Sequence, residues 1–174
     1  MSAHRRIRPG ADEFASFYAG YIGQVPDGDI VEGLIGGAEI AAALLSDLSE
    51  EVASKAYAPG KWTLKEVVLH CADAERIFSY RALRFARGDS TVLPGWNEQT
   101  YAPLSGAAVR SLESVLDELQ SVRESSVTLF SGLPSEAWTR RGSANNYEVS
   151  VRALAWITAG HLLHHLGVIQ DRYL

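Results

Sequence analysis

The sequence contains little cysteine and no excess of positive charge. One cysteine among 174 residues excludes an intramolecular disulfide framework and a thiolate-rich zinc finger. The 16 lysines and arginines are outnumbered by 21 aspartates and glutamates, which gives a net charge of −5. We therefore expect no binding of nucleic acid and no basic surface for anionic lipid. Any metal ion would need nitrogen and oxygen ligands.

Long hydrophobic runs are also missing. The two most apolar windows are interrupted by Glu32 and Glu39 and by Arg152, whereas a membrane-spanning helix needs about 20 apolar residues. The basic start, MSAHRRIRPG, lacks the apolar stretch of a signal peptide. We predict a single cytoplasmic domain over residues 1–174, with no membrane partner.

Helix signals account for most of the chain. Four long helices are predicted, over Asp29 to Leu48, Thr63 to Gly88, Gly106 to Phe130 and Ser150 to Arg172. The second has the clearest start, because Thr63 and Glu66 form a T-x-x-E capping box. The third places its apolar residues at spacings of three and four, which is typical of a helix with one buried face.

Strand signals are poor, since no Asn-Gly or Asp-Gly turn separates alternating segments. The fold class predicted is therefore all-α, a four-helix bundle. A short accessory helix over Asp12 to Tyr21 is expected to pack its aromatic residues on the bundle.

Three of the five histidines indicate where the chemistry lies. His161 and His165 are one turn apart on the face of the fourth helix that should point into the core. Two imidazoles at this spacing can hold one metal ion. His70 occupies an expected inward face of the second helix. A buried neutral histidine bonded to a carbonyl is the alternative for each residue taken alone.

The depths of these histidines predict the bundle topology. His70 is seven residues after the Thr63 cap and His165 is seven before Arg172, so each lies about 10 Å from its helix end. The two levels coincide only when the second and fourth helices are antiparallel. We therefore predict an up-down-down-up bundle, with a long crossover between the second and third helices from Gly88 to Ser105.

Three further residues are candidates for roles around the metal. Glu66 and Asp73 flank His70 by one turn each way and could orient its free ring nitrogen. The alternative is that Glu66 completes the cap and that Asp73 is a solvated carboxylate. His164 is rotated away from the other two histidines of its helix and is expected to be a wall residue or a donor to a ligand.

Residues outside the histidine set gave weaker indications. Cys71 points about 100° away from His70 around the helix, so we interpret it as a small buried hydrophobe. Two loop groups could line a pocket mouth, or could instead be anchors that pack the loops on the bundle: Trp96, Glu98 and Tyr101, and Asn145, Asn146 and Tyr147.

Two blocks of sequence resemble the DinB-like (damage-inducible) superfamily of four-helix-bundle metal-site proteins. The first is PGKWTLKEVVLHCADAERIFSYRALRFARGD and the second is VSVRALAWITAGHLLHHLGVIQDRYL. The similarity includes the loop LPGWNEQTYAP, from Leu93 to Pro103. The resemblance places the metal ligands on His70, His161 and His165 and implies an up-down-down-up bundle, frequently a homodimer. It also implies a divalent metal, with zinc or nickel first and iron as a further candidate.

Three functional hypotheses follow. Because an open position remains beside three histidine ligands, the first is a transferase that presents a low-molecular-weight thiol as a thiolate to an electrophile. The second is a hydrolase that uses metal-bound water. The third is a non-catalytic, dimeric metal-binding stress protein, in which the metal stabilises the fold or reports metal availability.

Overall fold

The computed structural model describes residues 2–174, which form a helical bundle with one small hairpin. Within these residues the α-helices are α1 (Ala19–Gln24), α2 (Ile30–Leu45), α3 (Glu50–Ala53), α4 (Leu64–Ala86), α5 (Glu98–Tyr101), α6 (Leu112–Ser131) and α7 (Val151–Arg172). The strands are β1 (Arg141–Ala144) and β2 (Tyr147–Ser150), which pair antiparallel. Helices α2, α4, α6 and α7 are the four predicted long helices. No helix in the described part of the chain is long and apolar enough to cross a membrane.

Side-chain caps fix where these helices begin. The Thr63 hydroxyl accepts from the Glu66 amide at 3.2 Å, and the Glu66 carboxylate accepts from the Thr63 amide at 2.7 Å, so the predicted capping box is present. The Asp29 and Ser150 side chains cap α2 and α7 by accepting from the amides of Val31 and Ala153. Helix α6 begins at Leu112 rather than near Gly106, because Gly106 has a left-handed backbone and Ser111 supplies the cap.

Two buried clusters reveal the direction of each long helix. One cluster combines the first halves of α2 and α7 with the second half of α4. The other combines the second halves of α2 and α7 with the first halves of α4 and α6. Helices α2 and α7 therefore run one way while α4 and α6 run the other. The predicted up-down-down-up topology is confirmed.

A buried ion pair ties three of the long helices together. The Arg123 guanidinium donates to both oxygens of Glu75, at 2.8 Å each from Nε and Nη2, and to the Leu34 carbonyl at 2.6 Å. Both charged side chains are almost fully buried. This contact joins α6 to α4 and α2, and the sequence analysis did not single it out.

The N-terminal segment differs from the predicted accessory helix. Three 3₁₀ turns precede α1, which covers only Ala19–Gln24, and Phe14, between the second and the third turn, is extended. The reason lies in a tertiary contact. The buried carboxylate of Glu13 accepts from the Ser150 hydroxyl at the start of α7, at 2.7 Å, while its bond to the Gly10 amide at 2.8 Å caps only a short 3₁₀ turn.

The hairpin was not predicted, and its turn explains why. Asn145 and Asn146 both have positive φ, 53° and 66°, as a type I′ turn requires. The sequence contains no Asn-Gly or Asp-Gly at this turn, but Asn-Asn can adopt the same left-handed backbone conformation. Leu93 of the crossover bonds to this hairpin, donating to the Ser143 carbonyl at 2.9 Å and accepting from the Asn145 amide at 3.0 Å. The crossover is thereby fixed over the bundle.

Candidate metal centre

The three histidines predicted as ligands meet in the core between α4 and α7. One ring nitrogen from each of His70, His161 and His165 lies within 4.8 Å of the other two. The Nε2 atoms of His70 and His161 are 3.1 Å apart. His70 and His161 are buried, whereas His165 is partly exposed.

Antiparallel packing is what brings these side chains to one level. His161 and His165 face the same direction because they are four residues apart on α7, and α4 runs past them in the opposite direction. Within the trio, ring centroids lie between 4.5 and 4.9 Å apart. His70 and His165, which are equally far from their helix ends, therefore lie at one level of the bundle.

Burial keeps these imidazoles neutral at pH 7. It lowers the pKa of His70 to about 4. For His165, burial and then the neighbouring His70 and His164 lower the pKa to about 3. Burial, with the adjacent histidines, also lowers the pKa of His161 well below its usual value. Neutral imidazoles carry the lone pairs that a metal ion needs.

The donor set fits a divalent transition metal. Tetrahedral zinc with bonds of about 2.05 Å to nitrogen implies ligand atoms about 3.3 Å apart, and the distance between His70 and His161 Nε2 is 3.1 Å. Three imidazoles suit zinc and nickel as well as iron. A three-histidine set also leaves a coordination position for a substrate atom.

The two carboxylates proposed to orient His70 do not bond to it in the structure. His70 Nδ1 is buried without a hydrogen-bond partner in the described residues. Glu66 is occupied by the cap with Thr63. Asp73 forms an ion pair with Arg76 at 3.4 Å. The solvated-carboxylate interpretation of Asp73 and the capping interpretation of Glu66 match these contacts.

His164 lies beside the cluster but outside it. Its Nδ1 is 3.4 Å from Gln24 Nε2 of α1, and its ring packs against Tyr21 with centroids 5.1 Å apart. This is the position of a wall residue. It is one of the two roles expected for His164.

Aromatic rings surround the histidines on several sides. Trp62 and Trp96 lie 4.9 and 5.7 Å from the His70 ring, and Trp96 is stacked on it. Tyr21 and Phe78 meet the His161 ring edge-on at 5.3 and 5.7 Å. These rings restrict water around the imidazoles. Trp96 therefore joins the site and is more than a distant loop anchor.

Two cavities reach the trio, one at His161 and the other at His165. The His161 cavity, of about 220 Å³, is lined by Phe17, Tyr18, Tyr21, Phe78, Arg81, Trp96, Glu98, Asn145 and His161. The His165 cavity, of about 210 Å³, is lined by Tyr57, Gly60, Lys61, Trp62, Val67, Gln99, His165, Val168 and Tyr173. The first contains three of the predicted mouth residues, Trp96, Glu98 and Asn145.

Close packing of two loops sets one wall of the His161 cavity. A Cβ atom at Gly95 would lie 2.2 Å from the Asn145 side-chain oxygen, so the crossover can approach the hairpin turn only with glycine there. The lining residues that sequence reasoning missed are Arg81 of α4 and Tyr57, Lys61 and Tyr173 of the His165 cavity. Arg81 is 11 residues after His70, a helical spacing that could have indicated a shared face.

Comparisons with known proteins give a family match and relatives described as metal-dependent. The chain matches the family model of the DinB superfamily over residues 37–169. It is 27% identical over 128 residues to a curated protein of Oceanobacillus iheyensis, "Putative metal-dependent hydrolase OB0413", covering 72% of this chain and 73% of that one.

Two solved structures share the fold. YfiT from Bacillus subtilis, described as a probable metal-dependent hydrolase with an unusual four-helix bundle topology, aligns with a TM-score of 0.72 and 15% identity over 95% of this chain and 91% of its own. A mycothiol-dependent maleylpyruvate isomerase aligns with a TM-score of 0.68 and 12% identity over 84% of this chain and 61% of its own. Since the family model spans most of the sequence, the chain belongs to the DinB superfamily.

Proposed function

We propose that the protein is a metal-dependent transferase that joins a low-molecular-weight thiol to a second, electrophilic substrate. The observation that carries this proposal is the pair of separate cavities at the histidine trio, one reaching His161 and the other His165. A hydrolase needs space for one organic substrate and water, whereas a transferase needs space for two organic molecules.

The metal site would consist of His70, His161 and His165, holding zinc or nickel, with iron as a further candidate. A divalent cation held there supplies a positive charge that lowers the pKa of a bound thiol or water. The chain's own residues hold the imidazoles neutral by burial and exclude water with Trp62, Trp96 and other rings.

The thiol must come from a substrate. Cys71, the chain's sole cysteine, is buried, and burial raises the pKa of its thiol. A buried thiol of this kind is unreactive. The His165 cavity suits the incoming thiol, because Lys61 and Tyr57 among its lining residues offer a cation and a hydroxyl group for a polar carrier.

A thiol-conjugation assay tests the proposal. Protein loaded with zinc or nickel is mixed with cysteine, glutathione or mycothiol and with 1-chloro-2,4-dinitrobenzene. The sulfur forms a bond to the ring carbon, chloride leaves, and the thiol proton passes to solvent. We expect turnover that disappears in His161→Ala while the helical circular-dichroism spectrum is retained. Absence of turnover with a panel of thiols and electrophiles contradicts the proposal.

Metal-dependent hydrolysis is the second candidate, favoured by the names of the Oceanobacillus and Bacillus proteins. Turnover of ester or amide substrates without added thiol would assign the protein to this class. A third outcome is a chelator-sensitive melting temperature with no turnover of either kind, which would indicate a metal-binding protein without catalysis.

We also propose a homodimer in the cytoplasm, as the family resemblance and the sequence suggest. Sedimentation of the purified protein at several concentrations measures the first property. Fractionation of cells measures the second.

A further inference from the structure

Arg81 is a buried cation without an acidic partner. Arg81 is only 4% exposed. No carboxylate among residues 2–174 lies within ion-pair distance of its guanidinium. Arg123, buried to a similar degree, bonds to Glu75 instead. Arg81 donates from Nη2 to the Pro94 carbonyl at 3.0 Å, and the uncharged Tyr18 hydroxyl is a further hydrogen-bond neighbour. Because a buried charge is costly unless it is paired, binding of an anion to this guanidinium is favourable.

The guanidinium lines the His161 cavity. Arg81 follows His70 by 11 residues, which is within about 20° of three full turns, so both residues are on one face of α4. The two Cα atoms are about 16 Å apart along the helix, and helical side chains lean toward the N-terminus, so Arg81 leans toward the metal site. Both Arg81 and His161 line the same cavity.

Neighbouring groups add hydrogen-bond donors. The Tyr18 phenol lies beside the Arg81 guanidinium, and burial raises the pKa of Tyr18, so its proton is retained at neutral pH. The Asn145 side chain lines the same cavity. Glu98 also lines it but is exposed at the mouth, so the cavity is positive at its inner end and negative at its rim.

We propose that Arg81 and Tyr18 bind a carboxylate of the electrophilic substrate in the His161 cavity. The electrophilic substrate therefore belongs to the class of compounds that carry a carboxylate. This inference rests on the proposed function, because it assigns one of the two cavities to the electrophile. Guanidinium and carboxylate match as a fork with two parallel hydrogen bonds. The reacting carbon then lies between the carboxylate and the histidine trio.

Binding of benzoate and benzamide tests the proposal without any turnover. The two probes share an aromatic ring that fits a cavity walled by Phe78 and Trp96, and only benzoate is an anion. Calorimetric titration of the metal-free protein should give benzoate an affinity at least about tenfold above that of benzamide, as expected for a charge-assisted bond. The preference should disappear in Arg81→Gln.

Arg76→Gln is the matched control, since Arg76 is on the same helix but partly exposed and paired with Glu118. It should retain the full preference for benzoate. If Arg81→Gln is unfolded by circular dichroism, Arg81→Lys takes its place, keeping the charge but losing the fork, with an expected reduction in benzoate affinity.

Three results overturn the proposal: equal affinity for the two probes in wild type, an unchanged preference in the folded Arg81 variant, or benzoate binding that requires the metal. The proposed function fails separately. If the protein conjugates no thiol but still prefers benzoate, the transferase proposal is rejected and the carboxylate site is kept. If it conjugates thiols but shows no preference for benzoate, the carboxylate site is rejected and the transferase proposal is kept.

Discussion

Gly160 of α7 lies directly against the backbone of Tyr21 in α1. A Cβ atom at residue 160 would be 2.0 Å from the Tyr21 carbonyl oxygen, a distance that backbone cannot accommodate without moving. The glycine therefore allows α1 to cross α7 closely. That crossing holds the Tyr21 ring against His161 and His164.

Gly160→Ala should accordingly destabilise the protein and disturb the wall of the site. We expect a loss of about 1–3 kcal/mol in the free energy of unfolding, the usual cost of overpacking, measured by urea denaturation. Gly167→Ala in the same helix is the control, because a Cβ there meets nothing within 4 Å. It should gain up to about 1 kcal/mol from helix propensity. Equal stabilities for the two variants would contradict the close crossing.

Metal binding should depend on the trio and not on the fourth nearby histidine. His161→Ala removes one of three ligands and should abolish stoichiometric binding of zinc or nickel, whereas His164→Ala should retain it because that ring bonds to Gln24 outside the cluster. Elemental analysis of dialysed protein measures the stoichiometry. A chelator should lower the melting temperature of wild type and of His164→Ala but not of His161→Ala. Equal metal content in both variants would refute the ligand set.

The buried pair of Glu75 and Arg123 should be strongly coupled. Arg123→Met leaves Glu75 as an uncompensated buried charge, and we expect a loss of about 3–5 kcal/mol. The double variant Glu75→Leu with Arg123→Met should recover most of this loss. Lys55→Met, which breaks an exposed pair with Glu51, serves as the control and should leave the free energy of unfolding nearly unchanged. The measurement is a double-mutant cycle in urea, and simple additivity would disprove the coupling.

Acid stability should depend on Glu13. Burial raises the pKa of its carboxyl, but hydrogen bonds from Arg152, Gly10 and Ser150 outweigh burial, and the pKa is lowered. A lowered carboxyl pKa stabilises the fold above the pKa of the unfolded chain, and this stabilisation is lost as pH falls through the lowered value. Urea midpoints between pH 5 and pH 3 should therefore fall less steeply in Glu13→Gln than in wild type.

The Glu13→Gln variant should also lose about 1.5–3 kcal/mol at pH 7, since it removes the charged acceptor of the hydrogen bonds from Arg152 and from Ser150, the cap of α7. Glu124→Gln, an exposed position on α6, is the control. It should leave both the midpoint and its pH dependence unchanged. A Glu13→Gln profile parallel to wild type would exclude a role for this carboxylate.

The four long helices and the histidine trio could be predicted because their signals are local. The Thr63 capping box, the Ser150 cap and the spacing of His161 and His165 each depend on residues within one or two turns. Helix rise then converts sequence distance into depth. His70 can lie at the same depth as His161 and His165 only if α4 and α7 are antiparallel. This requirement predicted the bundle topology.

The hairpin, the N-terminal turns and the site walls could not be predicted in the same way. Asn145 adopts its left-handed turn in a hairpin that Leu93 of a distant loop completes, and Glu13, in a short 3₁₀ turn, bonds with Ser150. Such contacts have no periodicity, because they join residues more than 50 positions apart in the chain. Whether each contact stabilises the protein depends on which groups the fold brings together.

The sequence by itself therefore determined the helices, their order and the three imidazoles, since periodicity and capping act over neighbouring residues. Only the tertiary structure decided that Glu66 and Asp73 leave His70 Nδ1 without a partner in residues 2–174, that two cavities reach the trio, and that Arg81 is buried without a carboxylate among those residues. The physical reason is that burial, and the pairing of charges within it, are properties of the packed chain and have no counterpart in any local pattern.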